Sequence, residues 1–301
     1  MTIHIGDSKE LDTYLPDLSY HSTWSSPEKF AAHIENIPKS DIWQPAGWED
    51  NDDGFYGGKL SEALTLARTG WTEGTETVEK FRNFISSSHP LMPTPSKYGI
   101  VGATPDVPRA IAGNIFNMKA IDLRKSHRRP VLTIVSNMAA PWYINKNTIT
   151  NRAAVVAAII DQIEAKGFSC EVITTAISAH GKFTAGTSVI LKQSSQPVDI
   201  GRLAFGLGHV GMFRRLMFCD RGGHKECRDI GSGLGSSYNK FPDNGYEKDI
   251  YYLPSVADAE HAFETEELSS TKGLDFLIKS LQDQKCPAFP RTRDEQDEQD
   301  E

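Results

Sequence analysis

The fold is decided by one stretch of the chain, residues 131–177, which reads VLTIVSNMAAPWYINKNTITNRAAVVAAIIDQIEAKGFSCEVITTAI. It opens with VLTIV (Val131–Val135), five uncharged residues of which four are β-branched. A run of this kind is typical of a strand that is buried on both faces of a sheet. We therefore predict a central strand over these five residues.

A helix and a second strand follow within the same stretch. Apolar residues recur at every fourth position through residues 151–167, with Thr148 or Thr150 as the predicted N-cap and Gly167 as the left-handed residue that ends the helix. The second strand is predicted over Cys170–Ile177. Strand, helix and strand make a βαβ unit, so the two strands should be parallel.

Shorter signals predict the elements that follow. Ser188–Lys192 is joined to the preceding strand by about ten residues, a hairpin-like length, so we expect an antiparallel strand at the sheet edge. Asp199 is the predicted N-cap of a helix that runs to about Leu207. The remaining predictions are a strand from Phe213 to Phe218, a strand from Ile250 to Val256 and a helix from about Gly273 to Leu281.

The N-terminal third is predicted to be helical. Its helices are expected over Ser26–Ile37, with Pro27 at the first position, over Ser61–Arg68, closed by Gly70, and over Glu73–Ile85. We therefore divide the chain into a helical and aromatic elaboration (1–99), an α/β core (100–285) and a disordered acidic tail (286–301). The predicted fold class is α/β, a mostly parallel open sheet flanked by helices, with N-terminal helices packed on it.

Composition is that of a globular protein of 301 residues with a net charge of −8. The last eight residues, DEQDEQDE, carry six carboxylates, and removing these from −8 leaves a net charge of −2. Four cysteines in a chain of this length do not make a disulfide framework. No run of 18 apolar residues and no secretory signal is visible, so we expect a cytoplasmic protein without a membrane span.

Cations are clustered rather than spread. Five cations lie within eleven residues before the first core strand, and we call them the basic strip: Lys119, Arg124, Lys125, Arg128 and Arg129. A separate arginine pair, Arg214 and Arg215, lies further along the chain. Clustered lysine and arginine are the electrostatic signature of phosphate binding, so we predict nucleic-acid contacts here. The alternative is an ordinary solvated linker whose cations balance the tail.

Two aromatic residues, Trp142 and Tyr143, follow the central strand and Pro141. Ligands bind at the carboxyl ends of strands in open α/β sheets, and aromatic rings stack on unpaired bases. We therefore add both residues to the predicted nucleic-acid site. The acidic tail is expected to act as a solubilising segment, as a mobile mimic of nucleic acid that occupies the basic strip, or as a segment that recruits a partner.

No enzyme signature is present, and we predict a protein without catalytic residues or cofactor. Cys219, His224 and Cys227 have a CxxxxHxxC spacing, but a structural zinc site needs four ligands, so ordinary thiols are favoured over a metal. GSGLGSS (Gly231–Ser237) lacks the ending of a P-loop, which favours a flexible loop over a phosphate site. The acidic pairs at 52–53 and 266–267 are interpreted as solvated surface charge.

Several stretches together resemble an uncharacterised family of bacteriophage and phage-related bacterial proteins. They are GGKLSEALTLARTGWTEGTETVEKF (57–81), DVPRAIAGN (106–114), RRPVLTIVSNMAAPW (128–142), NRAAVVAAIIDQIEAKGFSCEVI (151–173) and VDIGRLAFGLGHVGMFRRLMF (198–218). The resemblance covers roughly residues 48–220 and carries no known catalytic residue. In the setting it implies, we expect a transcription cofactor that binds single-stranded DNA and brings a phage RNA polymerase to promoters.

The order of elements also resembles the von Willebrand factor A fold, a Rossmann-like class. In that fold the first strand ends in Asp-x-Ser-x-Ser, whose oxygens hold a divalent ion. Asn137, Ala139 and Pro141 stand at those places here and cannot supply the hard-oxygen shell of Mg²⁺, so we predict no metal. Two functions therefore stay open: a phage protein that binds single-stranded DNA, and a von Willebrand A-like protein-interaction module without nucleic-acid binding.

Overall fold

A computed structural model gives the structure of the chain and describes residues 3–15, 18–38, 42, 48–50, 54–88, 98–100, 104–119, 129–180, 183–224, 227, 249–258, 260–263 and 272–291. The strands are β1 (Ile3–Gly6), β2 (Tyr20–Trp24), β3 (Tyr98–Gly99), β4 (Thr104–Pro105), β5 (Met118–Lys119), β6 (Val131–Asn137), β7 (Ser169–His180), β8 (Phe183–Lys192) and β9 (Ile250–Leu253). The helices are α1 (Pro27–Asn36), α2 (Leu60–Thr69), α3 (Thr72–Ser88), α4 (Val107–Ile111), α5 (Lys146–Ala165), α6 (Ile200–Gly208), α7 (Phe218–Gly222), α8 (Glu260–Phe263) and α9 (Lys272–Asp283).

The main sheet has six strands in the order β1-β2-β8-β7-β6-β9. Its two halves, β1-β2-β8 and β7-β6-β9, are each parallel, and they meet at the antiparallel pair β7–β8. Helices flank this sheet, and a separate small sheet has the order β3-β5-β4. The predicted class, a mostly parallel α/β sheet flanked by helices, is confirmed and is consistent with a Rossmann-like or von Willebrand A-like fold.

The predicted βαβ unit is confirmed as β6-α5-β7. β6 and β7 pair in parallel from Val131 opposite Ser169 to Asn137 opposite Thr175, and β9 pairs with the other side of β6. Gly167 ends the helix with a φ of 91°, a value that favours glycine. The predicted cap was wrong, because the side chain of Asn145 accepts from the Asn147 amide and the helix begins at Lys146.

The predicted position of β8 is corrected. This strand is antiparallel to β7, as expected, but it is not an edge strand, because β2 pairs with its other side from Tyr20 opposite Ala185 to Trp24 opposite Val189. The sequence YHSTW of β2 did not indicate a strand, since His21, Ser22 and Thr23 are polar and yet buried.

The N-terminal region therefore contributes to the sheet as well as to its cover. The helices predicted there are confirmed as α1, α2 and α3, and the hydroxyl of Ser26 caps α1 by accepting from the Lys29 amide at 3.3 Å. The predicted division placed only helices and aromatic residues before residue 100. Because β1 and β2 extend the sheet beyond β8, the α/β core instead begins at the N-terminal strands.

The strand predicted from Phe213 to Phe218 was wrong. Residues Gly211–Met217 form a π-helix that continues into α7, and every residue of this segment is buried. A short apolar run that is buried on all sides has no period that separates a strand from a helix. The strand at Ile250 and the helices after Asp199 and near Gly273 are confirmed as β9, α6 and α9.

Both faces of the main sheet are covered. Ile134 faces one apolar cluster with the buried side of α5, and Val135 faces a second cluster to which Leu11 contributes. Within the described ranges, no helix combines the length and the apolar character needed to cross a bilayer.

Candidate functional site

The loop after β6 presents two aromatic side chains to solvent. Met138, Ala139, Ala140 and Ile144 of this loop are buried, whereas Trp142 is 77% exposed and Tyr143 57% exposed. Their ring centroids lie 6.0 Å apart with the planes at 86°, an edge-to-face pair. We call Trp142 and Tyr143 the aromatic pair.

A buried arginine holds the backbone on both sides of the aromatic pair. The guanidinium of Arg214, on the π-helix, donates to the carbonyl of Pro141 at 2.8 Å and to that of Ile144 at 3.3 Å. It also lies 4.4 Å from the Phe55 ring centroid. Burial lowers the pKa of Arg214 to about 10, so the group stays charged at neutral pH. The aromatic pair is therefore bracketed by anchored residues.

Arg215 is buried in the same way. Its Nε donates to the carbonyl of Gly58 at 2.8 Å, Nη1 donates to that of Trp48, and its guanidinium lies 4.3 Å from the Tyr56 ring centroid. The predicted contact of Arg214 and Arg215 with nucleic acid is corrected, because the two side chains are only 3% and 0% exposed. They anchor loops instead of meeting phosphate.

Of the basic strip, the structure describes Lys119 and Arg129, and neither lies in the loop that carries the aromatic pair. Arg129 is exposed two residues before β6, whereas Trp142 lies beyond the other end of this strand, whose seven residues span about 20 Å. Lys119 lies in β5 of the small sheet, and Arg124, Lys125 and Arg128 lie outside the described residues. The cation nearest in sequence to the pair is Lys146, exposed in the first turn of α5.

A second cluster joins α1 to α7. Nε2 of His33 lies 3.0 Å from Oδ1 of Asp220, and the other oxygen of Asp220 accepts from the Thr187 hydroxyl at 2.7 Å. His224 follows α7 one helical turn after Asp220. Burial alone would raise the pKa of Asp220, but hydrogen bonds from His33 and Thr187 hold it below its ordinary value, so the carboxylate is ionised.

The described side chains that could hold a metal ion are those of His33, Asp220 and His224, whose ligand atoms lie within 4.8 Å of one another. The zinc alternative weighed from the sequence paired His224 with Cys219 and Cys227. Both cysteines are buried, neither is in a disulfide, and they lie outside that group. Sequence reasoning missed His33 and Asp220, although the Asp-x-x-x-His spacing at 220–224 places both side chains on one side of a helical turn.

In the von Willebrand A fold the metal site lies at the end of the first strand, and here the matching positions are Asn137, Ala139 and Pro141, none of which is acidic. The side-chain oxygen of Asn137 accepts from the Ala139 amide at 3.0 Å, and both residues are fully buried. The acidic pairs at 52–53 and 266–267, the glycine-rich stretch 231–237 and the tail 294–301 lie outside the described residues.

A cleft of about 550 Å³ lies between α2, the start of α3 and the end of α6. Its lining includes Trp71 and His209, whose ring centroids are 4.7 Å apart, together with Glu62 and Glu73. The two carboxylates disfavour an anionic ligand, so this cleft does not suit a phosphate backbone.

His209 should make stability depend on pH. Burial lowers its pKa from an ordinary 6.5 to about 4, and its Nδ1 accepts from the Gly211 amide at 3.1 Å. Between these two pH values the unfolded chain binds a proton that the folded chain does not, so stability is present above pH 6.5 and is lost as pH falls. Urea unfolding should show a loss of about 2–3 kcal/mol from this group between pH 7 and 4.5. In His209→Gln, which retains an acceptor, this part of the loss should disappear; an unchanged pH dependence would contradict the assignment.

Comparison with known proteins yields one family. The profile of a family described as "Domain of unknown function (DUF7192)" matches residues 9–277. No curated protein and no solved structure matches the chain. Phage origin and the von Willebrand A relationship stay predictions.

Proposed function

The chain belongs to the family described as Domain of unknown function (DUF7192), and from its own surface we propose that it binds single-stranded DNA through the aromatic pair. The observation that carries the proposal is that two large aromatic side chains are exposed side by side on an anchored loop. Burying each ring would stabilise the fold by about 2 kcal/mol. Because the two rings are exposed, the folded chain lacks this stabilising free energy. Such rings suit a ligand that has flat apolar faces of its own.

The surroundings of the aromatic pair favour a nucleic-acid strand. The pair follows the carboxyl end of β6, the side of an open α/β sheet on which ligands bind. The amino end of the 20-residue helix α5 and the exposed Lys146 come next in the chain. A helix amino end and a lysine both attract phosphate. Proteins that bind single strands combine aromatic rings, on which the bases stack, with nearby positive charge, which attracts the phosphates.

Single strands are favoured over duplex because a base can stack on a protein ring only when its face is free. Fluorescence anisotropy with a labelled oligothymidine, a duplex of equal length and an RNA strand tests this at two salt concentrations. We expect the single DNA strand to bind at least about tenfold more tightly than the duplex. If the single strand does not bind at low salt, the proposal is wrong.

The salt dependence measures the phosphate contacts. If Lys146 contacts one phosphate, Lys146→Gln should flatten the slope of log affinity against log salt by about 0.7. The charge-matched control Lys279→Gln, on the exposed side of α9, should leave the slope unchanged. Recruitment of a phage RNA polymerase stays a prediction from the resemblance.

A protein-interaction module is the second candidate, and a different observation favours it. The region from β3 to β5 exposes several large apolar side chains: Ile100, Val107, Ile111, Ile115 and Phe116. A protein-binding surface is typically a contiguous exposed apolar patch, and these five side chains lie within 17 residues of the chain around the small sheet. This candidate replaces nucleic-acid binding if the single strand is not bound.

A further inference from the structure

We propose that His33, Asp220 and His224 form a binding site for a divalent transition metal ion of the Zn²⁺ class. The proposal is independent of the aromatic pair. Two imidazole nitrogens and one carboxylate oxygen lie within 4.8 Å of one another. In a tetrahedral zinc site with bonds of about 2.1 Å, the ligand atoms lie roughly 3.4 Å apart. Small side-chain rotations therefore suffice to close the three ligands on one ion.

The ligands are held before an ion arrives. Asp220 is fully buried, and the Thr187 hydroxyl binds the oxygen that does not face His33. The His33 ring stacks on Trp24 with centroids 4.5 Å apart. The His224 ring is nearly parallel to that of His33, with planes at 6° and centroids 6.1 Å apart. Such outer partners orient metal ligands and strengthen binding.

The backbone brings the two histidines together. Asp220 and His224 are one turn apart at the end of α7, and Gly223 lies between them. A Cβ at Gly223 would lie 2.7 Å from a methyl carbon of Ile37, just after α1. A glycine at this position therefore lets the end of α1, which carries His33, approach the end of α7.

The donor set selects the kind of ion. Two nitrogens and one oxygen suit Zn²⁺ and related ions, whereas Mg²⁺ and Ca²⁺ prefer oxygen shells. The buried Arg221 opposes a cation through its charge, but its guanidinium donates to Ser178 and to the carbonyl of Ala176. This leaves Oδ1 of Asp220 directed at His33.

Three protein ligands leave one position of a tetrahedral ion for water or a small ligand. The His33 side chain is 17% exposed, so the site reaches solvent on that side. Zinc sites of this composition are the open kind, in which the bound water is activated. The alternative is a structural hydrogen bond between His33 and Asp220 that links α1 to α7 and binds no ion.

Titration of the chelator-treated, untagged full chain with Zn²⁺ against a chromogenic competitor tests the proposal. We expect one ion per chain, no displacement by excess Mg²⁺, and a four-coordinate absorption spectrum when Co²⁺ is used instead. His33→Asn and His224→Asn should each weaken Zn²⁺ binding at least about 100-fold, and Thr187→Val about 10- to 100-fold. The matched control His21→Asn, from a histidine that pairs with Asp12 at 3.2 Å, should bind normally.

Further variants decide between this site and the cysteines. Cys219→Ala and Cys227→Ser should leave Zn²⁺ affinity unchanged. The proposal is overturned if the wild-type chain takes up no Zn²⁺. It is also overturned if Zn²⁺ binding survives in both histidine variants, or if Zn²⁺ binding is lost in the cysteine variants. Should a histidine variant fail to fold, the partly conservative Thr187→Val and the Co²⁺ spectrum of the wild-type chain decide the question.

Discussion

Replacing Ile134 by aspartate should destabilise the chain by about 5 kcal/mol or more, enough to unfold a domain of ordinary stability. Ile134 is fully buried at the middle of β6, with Val172 of β7 on one side and Tyr251 of β9 on the other. The variant loses the apolar contacts of the side chain and must bury a carboxyl group without a partner. Urea unfolding followed by circular dichroism measures the loss.

Val131→Asp is the matched control. Val131 begins the same strand but is 42% exposed, so its aspartate stays in water and should cost less than about 1 kcal/mol. If Ile134→Asp unfolds at the same urea concentration as this control, β6 is not the central strand and the described sheet is wrong.

Parts of the fold that depend on neighbouring residues were predictable from the sequence. The uncharged run of β6, the apolar period of α5 and the left-handed Gly167 are local signals, and they predict the βαβ unit directly. The capping side chains of Ser26 and Asp199 are local signals too. Each of these signals depends on residues only a few positions apart in the chain.

Parts that depend on distant partners were not predictable. β2 is polar in sequence and becomes a strand because β8, about 165 residues later, pairs with it. A strand that is specified by its partner carries no alternation for a pattern to detect. The same reason explains why β8 was placed at an edge.

The site shows the same division. The position of the aromatic pair at the carboxyl end of a central strand was predictable, because both residues follow the uncharged run of β6 and a proline. The adjacent arginines 214 and 215 were not, since a sequence gives no sign of whether a guanidinium meets water or distant carbonyls such as those of Phe55 and Gly58. His33 and Asp220 are 187 residues apart in the sequence, and only the tertiary fold brings their side chains into contact.

The second large effect is expected at the aromatic pair. The double variant Trp142→Ala, Tyr143→Ala should weaken binding of a single DNA strand by about 100-fold or more, because each stacked base contributes about 1–3 kcal/mol. Both side chains are exposed, so the unfolding free energy should change little. Anisotropy with a labelled oligothymidine measures the affinity.

Phe116→Ala is the control for this variant. Phe116 is also an exposed aromatic residue, at 49%, but it lies next to β5 in the small sheet. Its removal should leave the affinity within about twofold, since it is not expected to stack on the strand. Equal losses in the two proteins would mean that binding does not depend on the aromatic pair.

The most direct test of single-strand stacking is the tryptophan emission of the chain during titration with oligothymidine. Among the tryptophans in the part of the chain that the structure describes, Trp142 is the exposed one, so we expect its emission to be quenched by a stacked base. Trp142→Phe keeps an aromatic ring, so it should still bind within about tenfold of the wild-type affinity while losing most of the quenching. Trp71→Phe should bind and be quenched like the wild type. Quenching that persists in Trp142→Phe would contradict the account, because the strand would then stack on another part of the molecule.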